Sequence, residues 1–270
     1  MNKDKQYVLT VISGNRNIVF GVFDEDKILF KHRIGKPEGT SADEYAVFLK
    51  NCFEEDGIKL SQIKGVILGI TNHEVRRPLE SMVKRVFKLS PIFVSEGTKT
   101  GVRIDYRSDG GLSADRVANI VSVTNLYKQK NRSTIVIDFG FKTVVDVVNA
   151  KGDYIGGVIT VGEDMVHQGL AGLKTSLPRV ESLNSPQIIG NTLKRSLQSG
   201  SYWTVVYTVK GYLADLQEEL KDENPNIIIT GGYGEGYLDY IKHDVVDYDL
   251  TLKGLKLIYD KNKAAKQSKK

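Results

Sequence analysis

Residues 7–34 read YVLTVISGNRNIVFGVFDEDKILFKHRI, and residues 133–159 read STIVIDFGFKTVVDVVNAKGDYIGGVI. Each stretch is an apolar strand, a glycine turn, a second apolar strand, a polar turn and a third strand. The polar turns are Asp24-Glu25-Asp26-Lys27 and Asn149-Ala150-Lys151-Gly152-Asp153. β-Branched and aromatic residues concentrate in the strands, and Asp, Asn and Gly in the turns, as pleated packing and turn geometry require. Superposed at the glycines, Gly14 falls on Gly140, Ile12 on Asp138, Arg16 on Lys142 and Val19 on Val145. A three-strand meander used twice implies two lobes of related fold with a cleft between them.

The stretches between and after the meanders alternate helix and strand. Ser41-Ala42-Asp43-Glu44 has capping-box form and opens a helix to about Glu54. A buried strand is expected over Ile63–Ile70, an amphipathic helix over Arg76–Phe87, a strand over Pro91–Val94 and a helix from Ser113. The second half predicts helices over Gly162–Leu173 and Thr192–Glu219. A strand over Ile227–Ile229 runs into Thr230-Gly231-Gly232-Tyr233-Gly234, and a last helix covers Leu250–Asn262. The flexible run Asp109-Gly110-Gly111 places a boundary between residues 1–110 and 111–260, with 261–270 as a basic disordered tail.

Composition narrows the function classes. The 270 residues suit two lobes of roughly 100–150 residues. The single cysteine, Cys52, rules out an intramolecular disulfide and a cysteine-type zinc site. There is no signal-like N-terminal stretch and no membrane-length apolar run, so the expected location is the cytoplasm, without membrane association. Net charge is +5, and five lysines with no acid lie in Lys261–Lys270. Without the tail the body is near neutral, which gives no electrostatic case for nucleic acid. His32, His73, His167 and His243 have no metal-ligand spacing and are assigned nothing.

A duplicated glycine hairpin followed by a late Thr-Gly-Gly turn is the layout of the actin-like ATPase (ribonuclease H-like) superfamily. Hairpin turns present backbone N–H groups to phosphate oxygens. An Asp ending the first strand of each hairpin holds a divalent metal. The Thr-Gly-Gly turn lets a nucleoside lie against backbone. The expected phosphate contacts are Gly14, Asn15, Arg16, Gly140, Lys142, Thr143, Gly231 and Gly232, with Asp138 facing the metal.

Several stretches, in order along nearly the whole chain, resemble type III pantothenate kinase. Gly14-Asn15 with Asn17–Phe23, Ala42-Asp43-Glu44-Tyr45, Gly97–Val102 with Tyr106, and Ser113-Ala114-Asp115-Arg116 with Asn119 carry the resemblance in the first half. Asp138-Phe139-Gly140, Gly156–Ile159, Leu177–Glu181, Ile189–Thr192, Gln198-Ser199-Gly200 and Leu250–Leu255 carry it in the second. The resemblance implies a homodimer that phosphorylates the pantothenate hydroxyl with ATP, Mg²⁺ and a monovalent cation, the first step of coenzyme A synthesis. By motif position it makes Asp115 the base. It sets Arg116 at the carboxylate side of the substrate, and Tyr106, Thr192 and Gly101 around that pocket. It gives the second lobe the dimer interface, with Tyr202, Trp203 and Tyr207 of the long helix as anchors or as core. The residues alone leave other readings open. Asp115 and Arg116 also suit a helix-dipole contact and a surface ion pair, Tyr106 plain packing, and Thr192 a helix N-cap.

The departures from the family pattern gather at the phosphate site. Ile12 stands where the pattern has Asp. Arg16 replaces a small hydroxyl residue, Phe141-Lys142-Thr143-Val144 replaces Thr-Ala-Thr-Thr, Ser113 replaces Gly, and Val161 replaces Pro. An aliphatic side chain cannot hold or orient hydrated Mg²⁺. Three functions follow: a kinase homologue with a degraded ATP and metal site that acts by binding a pantothenate-like molecule, with no cofactor of its own; an active pantothenate kinase in which Arg16 and Lys142 do part of the metal's work; or a structural partner whose cleft is closed by its own ion pair.

Overall fold

The structure, a computed structural model, describes residues 5–35, 39–104, 106, 111–172, 177–182, 184 and 186–267, with side chains through residue 264. It divides into two compact units. One comprises Met1–Val102, Tyr106–Ser122 and Asp249–Lys270, and the other Arg103–Asp105 and Val123–Tyr248.

The first unit is built on β1 (Tyr7–Ser13), β2 (Asn17–Asp24), β3 (Lys27–Gly35), β4 (Ile63–Ile70) and β5 (Ile92–Phe93), in the order β3-β2-β1-β4-β5. β1 pairs antiparallel with β2 and parallel with β4. One sheet face buries Leu9, Val11, Ile18, Phe20 and Leu68 against α1 (Ala42–Glu55) and α2 (Arg76–Phe87). The expected capping box starts α1: Ser41 accepts from the Glu44 backbone N–H, and Glu44 Oε2 accepts from the Ser41 N–H at 2.7 Å.

The opposite face is covered by α3 (Ala114–Ser122) and α6 (Leu250–Gln267). Glycines make that cover possible. A Cβ on Gly65 would lie 1.9 Å from the Tyr259 hydroxyl, and one on Gly21 3.0 Å from the Leu252 side chain. At Gly254 the two helices meet backbone to backbone, since a Cβ there would stand 1.9 Å from the Ala118 carbonyl oxygen. Ser122 Oγ donates to the Leu250 carbonyl at 2.6 Å, and Thr251 Oγ1 to Asn119 Oδ1 at 2.7 Å.

The second unit repeats the plan. β6 (Thr134–Phe139), β7 (Lys142–Val148), β8 (Tyr154–Val161), β9 (Asn226–Thr230) and β10 (Val245–Val246) run β10-β9-β6-β7-β8. This is the order of the first sheet with meander for meander and parallel strand for parallel strand, as the sequence echo predicts. α5 (Leu193–Leu220) supplies Tyr202, Val205, Val206 and Val209 to a core with Ile135, Ile137, Phe139, Ile227 and Ile229. α4 (Glu163–Gly172) follows β8.

Three expectations change. The division falls between Ser122 and Val123, where α3 passes into a π-helical turn, Val123–Tyr127. It does not fall near residues 109–111, of which Asp109 and Gly110 lie outside the described residues. The last helix belongs to the first unit because its apolar face fits the glycines of β2 and β4, a match between distant segments. It also runs on to Gln267, so residues 261–267 are helical rather than a disordered tail. The hairpins, finally, are not equivalent residue for residue. In the first, Ser13 pairs with Ile18 and three residues turn. In the second, Phe139 pairs with Thr143 and only Gly140 and Phe141 turn. Gly14 N–H donates to the Asn17 carbonyl at 2.9 Å, and Gly140 N–H to the Lys142 carbonyl at 3.2 Å. Lys142 therefore matches Asn17, Val144 matches Val19, and Arg16 is an extra loop residue with no counterpart.

Because the Gly254 contact is backbone against backbone, nothing flexible can yield. Gly254→Ala is expected to lower the urea-unfolding free energy by about 2 kcal/mol or more through overpacking. A midpoint and slope unchanged from the parent chain would refute that packing.

Candidate active-site residues

In the first unit the start of α3 gathers the predicted substrate residues. Arg116 is buried, and its guanidinium lies over the Tyr106 ring, 5.3 Å from the centroid. Asp115, next to it in the first turn, accepts the Arg116 backbone N–H on Oδ1 at 2.9 Å. The carboxylate thus sits at the positive end of the helix, where negative charge is favoured. Ser113 caps the turn with its carbonyl, which accepts from Val117 N–H at 3.0 Å. Tyr106, Asp115 and Arg116 come together. Gly101 is placed elsewhere on the unit: with φ +73°, it lies against the Lys261 side chain of α6, and its loop is pinned by Asn262, whose amide donates to the Lys99 carbonyl at 3.0 Å.

Ile12, at the end of β1, points toward the same helix. It is 8% exposed and fills the space above its parallel neighbour Gly69. A Cβ on Gly69 would meet Ile12 Cδ1 at 2.7 Å, Leu255 Cδ2 at 3.2 Å and Ala114 Cβ at 3.4 Å. An apolar plug therefore occupies the place where the family pattern has a carboxylate. The next residue, Ser13, offers only a buried hydroxyl without a hydrogen-bond partner. Gly14, Asn15 and Arg16 form the turn, with Asn15 and Arg16 exposed.

In the second unit the phosphate candidates form a glycine-lined patch. Gly231 has φ +92°, and a Cβ there would stand 2.3 Å from the Phe139 carbonyl oxygen and 2.5 Å from Asp138 Oδ1. Only glycine fits both the left-handed backbone and the approach. Tyr233 N–H donates to the Phe139 carbonyl at 3.0 Å. The Thr230-Gly231-Gly232 bend is thereby seated on the end of β6, beside Asp138 and the Gly140 turn. Gly162, between β8 and α4, closes on the same turn: a Cβ would lie 2.6 Å from the Gly140 oxygen and 2.4 Å from that of Phe141. Thr143 is turned away. It shares a face with its partner Phe139, in the core, and its hydroxyl is enclosed without a hydrogen-bond partner, on the opposite side of the sheet from Asp138. Thr192 lies in this unit as the N-cap of α5, accepting the Arg195 N–H on Oγ1 at 3.2 Å.

Sequence reading missed a cluster at the start of α4. Tyr237 Oη donates to Glu163 Oε2 at 3.0 Å, and Tyr233 Oη to Asp164 Oδ2 at 2.7 Å. Burial, reinforced by the Glu163 charge, pushes the Tyr237 phenol well above the usual tyrosine range. An acid directly after a glycine, with a histidine four residues on, was the available signal.

The backbone turns of the second unit could hold the phosphates of a nucleotide, and Asp138 beside them could face a metal rather than a phosphate oxygen. It does not suit a divalent metal at the first hairpin, where Ile12 supplies no oxygen. No group of three or more metal-ligating side chains occurs among the described residues.

Two glycine-hairpin units of matching sheet order define an actin-like ATPase fold, and solved structures agree. A Baf-family protein from Campylobacter jejuni superposes with TM-score 0.58 at 18% identity, covering 95% of this chain and 99% of that one. A glucokinase of the ROK family from Streptomyces griseus does so with TM-score 0.53 at 13% identity, over 94% and 99%. The component A of (R)-2-hydroxyglutaryl-CoA dehydratase from Acidaminococcus fermentans gives 0.52 at 12%, over 96% and 99%. The family is shown by sequence. The type III pantothenate kinase model matches residues 8–215. A type III pantothenate kinase from Bacillus cytotoxicus is 34% identical over 257 residues, which is 95% of this chain and 96% of that enzyme. The chain belongs to the type III pantothenate kinase family.

The cap geometry of Thr192 has a measurable consequence. Thr192→Ala is expected to cost about 1 kcal/mol of unfolding free energy, and Thr192→Ser almost nothing. Equal loss in both variants would point away from a cap and toward a contact of the methyl group.

Proposed function

We propose that this protein is a pantothenate kinase homologue whose metal and phosphate half is degraded, and which acts by binding a pantothenate-like molecule with little or no phosphoryl transfer. The observation that carries the reading is that Ile12, together with Leu255 and Ala114, fills the space over Gly69. Phosphoryl transfer rests on positioning and on charge stabilisation by metal and donors. Loss of the carboxylate that positions the metal costs on the order of 10³-fold in rate. Phe141, in a two-residue turn where the pattern has a small hydroxyl residue, points the same way. The substrate half keeps its groups. Arg116 offers a cation to a carboxylate, Tyr106 a ring beside it, and Asp115 an acceptor placed to take a hydroxyl proton.

One observation favours a second reading, an active enzyme with unusual phosphate handling. The first hairpin loop is a residue longer than the second and carries Arg16 exposed at its end. A guanidinium there supplies charge to a phosphate without a metal. Lys142, a strand residue in the other hairpin, does not share that role by position.

We also propose a homodimer formed through the second unit and a cytoplasmic location. Ile189 is 80% exposed, and Ile188, Leu193 and Tyr207 are more than half exposed around the start of α5. Tyr207 stacks on Trp203 at 5.5 Å, whereas Tyr202 is core. Aromatic and aliphatic anchors of this kind suit a subunit contact. Among the described residues no helix is long and apolar enough to cross a membrane. Light scattering on the full chain is expected to give twice the monomer mass, and Ile189→Glu a monomer. A parent chain that is monomeric at high concentration contradicts the dimer.

Purified protein with ATP, Mg²⁺, K⁺ and pantothenate tests the main reading through the appearance of phosphopantothenate. The expected rate lies on the order of 10³-fold or more below that of an intact family member assayed in parallel. Pantothenate alone is expected to raise the melting temperature, and Arg116→Ala to abolish that shift. Turnover comparable to the intact enzyme would overturn the proposal in favour of the second reading.

A further inference from the structure

Glu163 is a buried carboxylate to which the reading above gives no role. It is 6% exposed and directly follows Gly162, which is packed on the carbonyls of Gly140 and Phe141. One oxygen accepts the Tyr237 hydroxyl; the other, Oε1, is buried without a hydrogen-bond partner. His167 Nε2 stands 4.0 Å from Oε1, also buried and without a hydrogen-bond partner. A buried ionised or polar group in that condition is costly, and two facing each other are satisfied together by one proton between them.

Tyr237 closes the other side. It lies in the short helical turn Gly234–Tyr237 after the Gly231 bend, held between Phe139 (centroids 4.6 Å apart) and Tyr202 of α5 (5.2 Å), while Tyr202 Oη donates to the Gly236 carbonyl at 2.5 Å. Glu163 thus spans from the segment resting on the Gly140 turn to the segment carrying the Gly231 bend. The neighbouring Tyr233–Asp164 bond runs parallel to it. Among the described residues, Tyr237 bonds Glu163, Tyr202 and Tyr233 act on Tyr237, and Asp164 is the next residue along the chain.

We propose that Glu163 is a positioning residue that braces the Gly140 turn against the Gly231 bend, and that His167 supplies the proton completing the brace. When His167 carries the proton, Nε2–H donates to Glu163 Oε1 while Oε2 keeps the Tyr237 hydroxyl, and the first turn of α4 is fixed at both oxygens. A neutral ring makes that bond only in its Nε2–H tautomer and without the charge, so α4 is then held mainly through Tyr237 and the two glycine segments loosen together. The inference rests on reading this patch as the phosphate side of the site; the brace itself is a property of the unliganded chain.

Amide hydrogen exchange on the unliganded full chain tests it, so that failure bears on the brace and not on what the patch binds. Between about pH 5.5 and about pH 8, the range in which histidine ordinarily changes charge, protection of Gly231–Tyr237 and of Gly140–Thr143 is expected to fall in step. The expected drop is about tenfold after correction for intrinsic exchange, the worth of one charge-assisted hydrogen bond. Glu163→Gln, whose amide accepts from Tyr237 and donates to a neutral imidazole but meets Nε2–H when the ring is charged, is expected to keep both segments protected at the higher pH and to remove the advantage of the lower one. Glu163→Ala is expected to expose both at either pH, and if it does not fold, Tyr237→Phe must loosen the same two segments. Protection that is independent of pH in the parent chain, or loss at Gly231–Tyr237 that leaves Gly140–Thr143 untouched, overturns the proposal.

Discussion

The first unit depends on one close approach, Gly254 of α6 against the carbonyl of Ala118 in α3. With no Cβ in the way, two helices separated by about half of the chain pack backbone to backbone, and the pair lies on the face of β1, β2 and β4 that carries Gly21, Gly65 and Gly69. Everything in the substrate half inherits its place from that contact. Ala114 and Leu255 form the wall against which Ile12 rests. Asp115 and Arg116 stand at the start of the helix that Gly254 holds down. Side chains at these glycines would lift α6, and with it the entry of α3, so the position of Arg116 over Tyr106 is fixed from 138 residues away.

That long-range dependence explains what was and was not legible in the sequence. The meanders were legible because alternation is local: Val11, Ile12, Ser13 and the turn glycine declare a strand and its end without help from elsewhere. Ser41 and Glu44 declared their helix start in the same way, since both halves of a capping box lie within four residues. The membership of α6 was not legible. Its apolar residues announce a buried face but not which sheet the face meets, and the complementary signal is the absence of side chains on β2 and β4. The matching of Arg16 with Lys142 failed for a different reason. Aligning on the turn glycine ignores loop length, and the ladder after the turn, Ser13 with Ile18 against Phe139 with Thr143, shifts the register by one residue. A one-residue shift changes which face a side chain occupies, and it separates the enclosed Thr143 hydroxyl from Asp138. The family motifs pointed to candidate residues, and the structure gathers Tyr106, Asp115 and Arg116 in one unit and Asp138, Gly140 and Gly231 in the other. Glu163 stayed hidden because its meaning lies in Tyr237, far along the chain.

The two units treat their hairpins differently for physical reasons. In the second, glycines at 162 and 231 press onto carbonyl oxygens of the turn and of β6, so the Gly140 segment is clamped by backbone on two sides. In the first, the Gly14 N–H closes the longer loop onto the Asn17 carbonyl, and Thr71 anchors the end of β1 through the Ser13 carbonyl. A clamped turn holds its amides in one arrangement, the precondition for stabilising phosphate charge without reorganisation. The first hairpin's longer loop ends instead in an exposed arginine, a side-chain charge where the second hairpin offers backbone dipoles.

Ile12 shows why the altered hairpin is stable as it stands. A carboxylate in that position, facing Leu255, Ala114 and the bare backbone of Gly69, is tolerable only when a cation and water share its charge, because desolvation of an unpaired carboxylate is heavily unfavourable. An isoleucine there removes that demand and adds burial worth roughly 1.5–3 kcal/mol for a fully enclosed side chain. Folding and catalysis pull this position in opposite directions, the usual tension where a site needs a group the core would reject. Once no metal has to be held, nothing in the packing of the first unit opposes the aliphatic residue. The neighbouring Asp115 and Arg116 gain from it a firmer floor beneath the start of their helix. The isoleucine that supplies no oxygen donor at the first hairpin thus consolidates the packing beneath the start of α3.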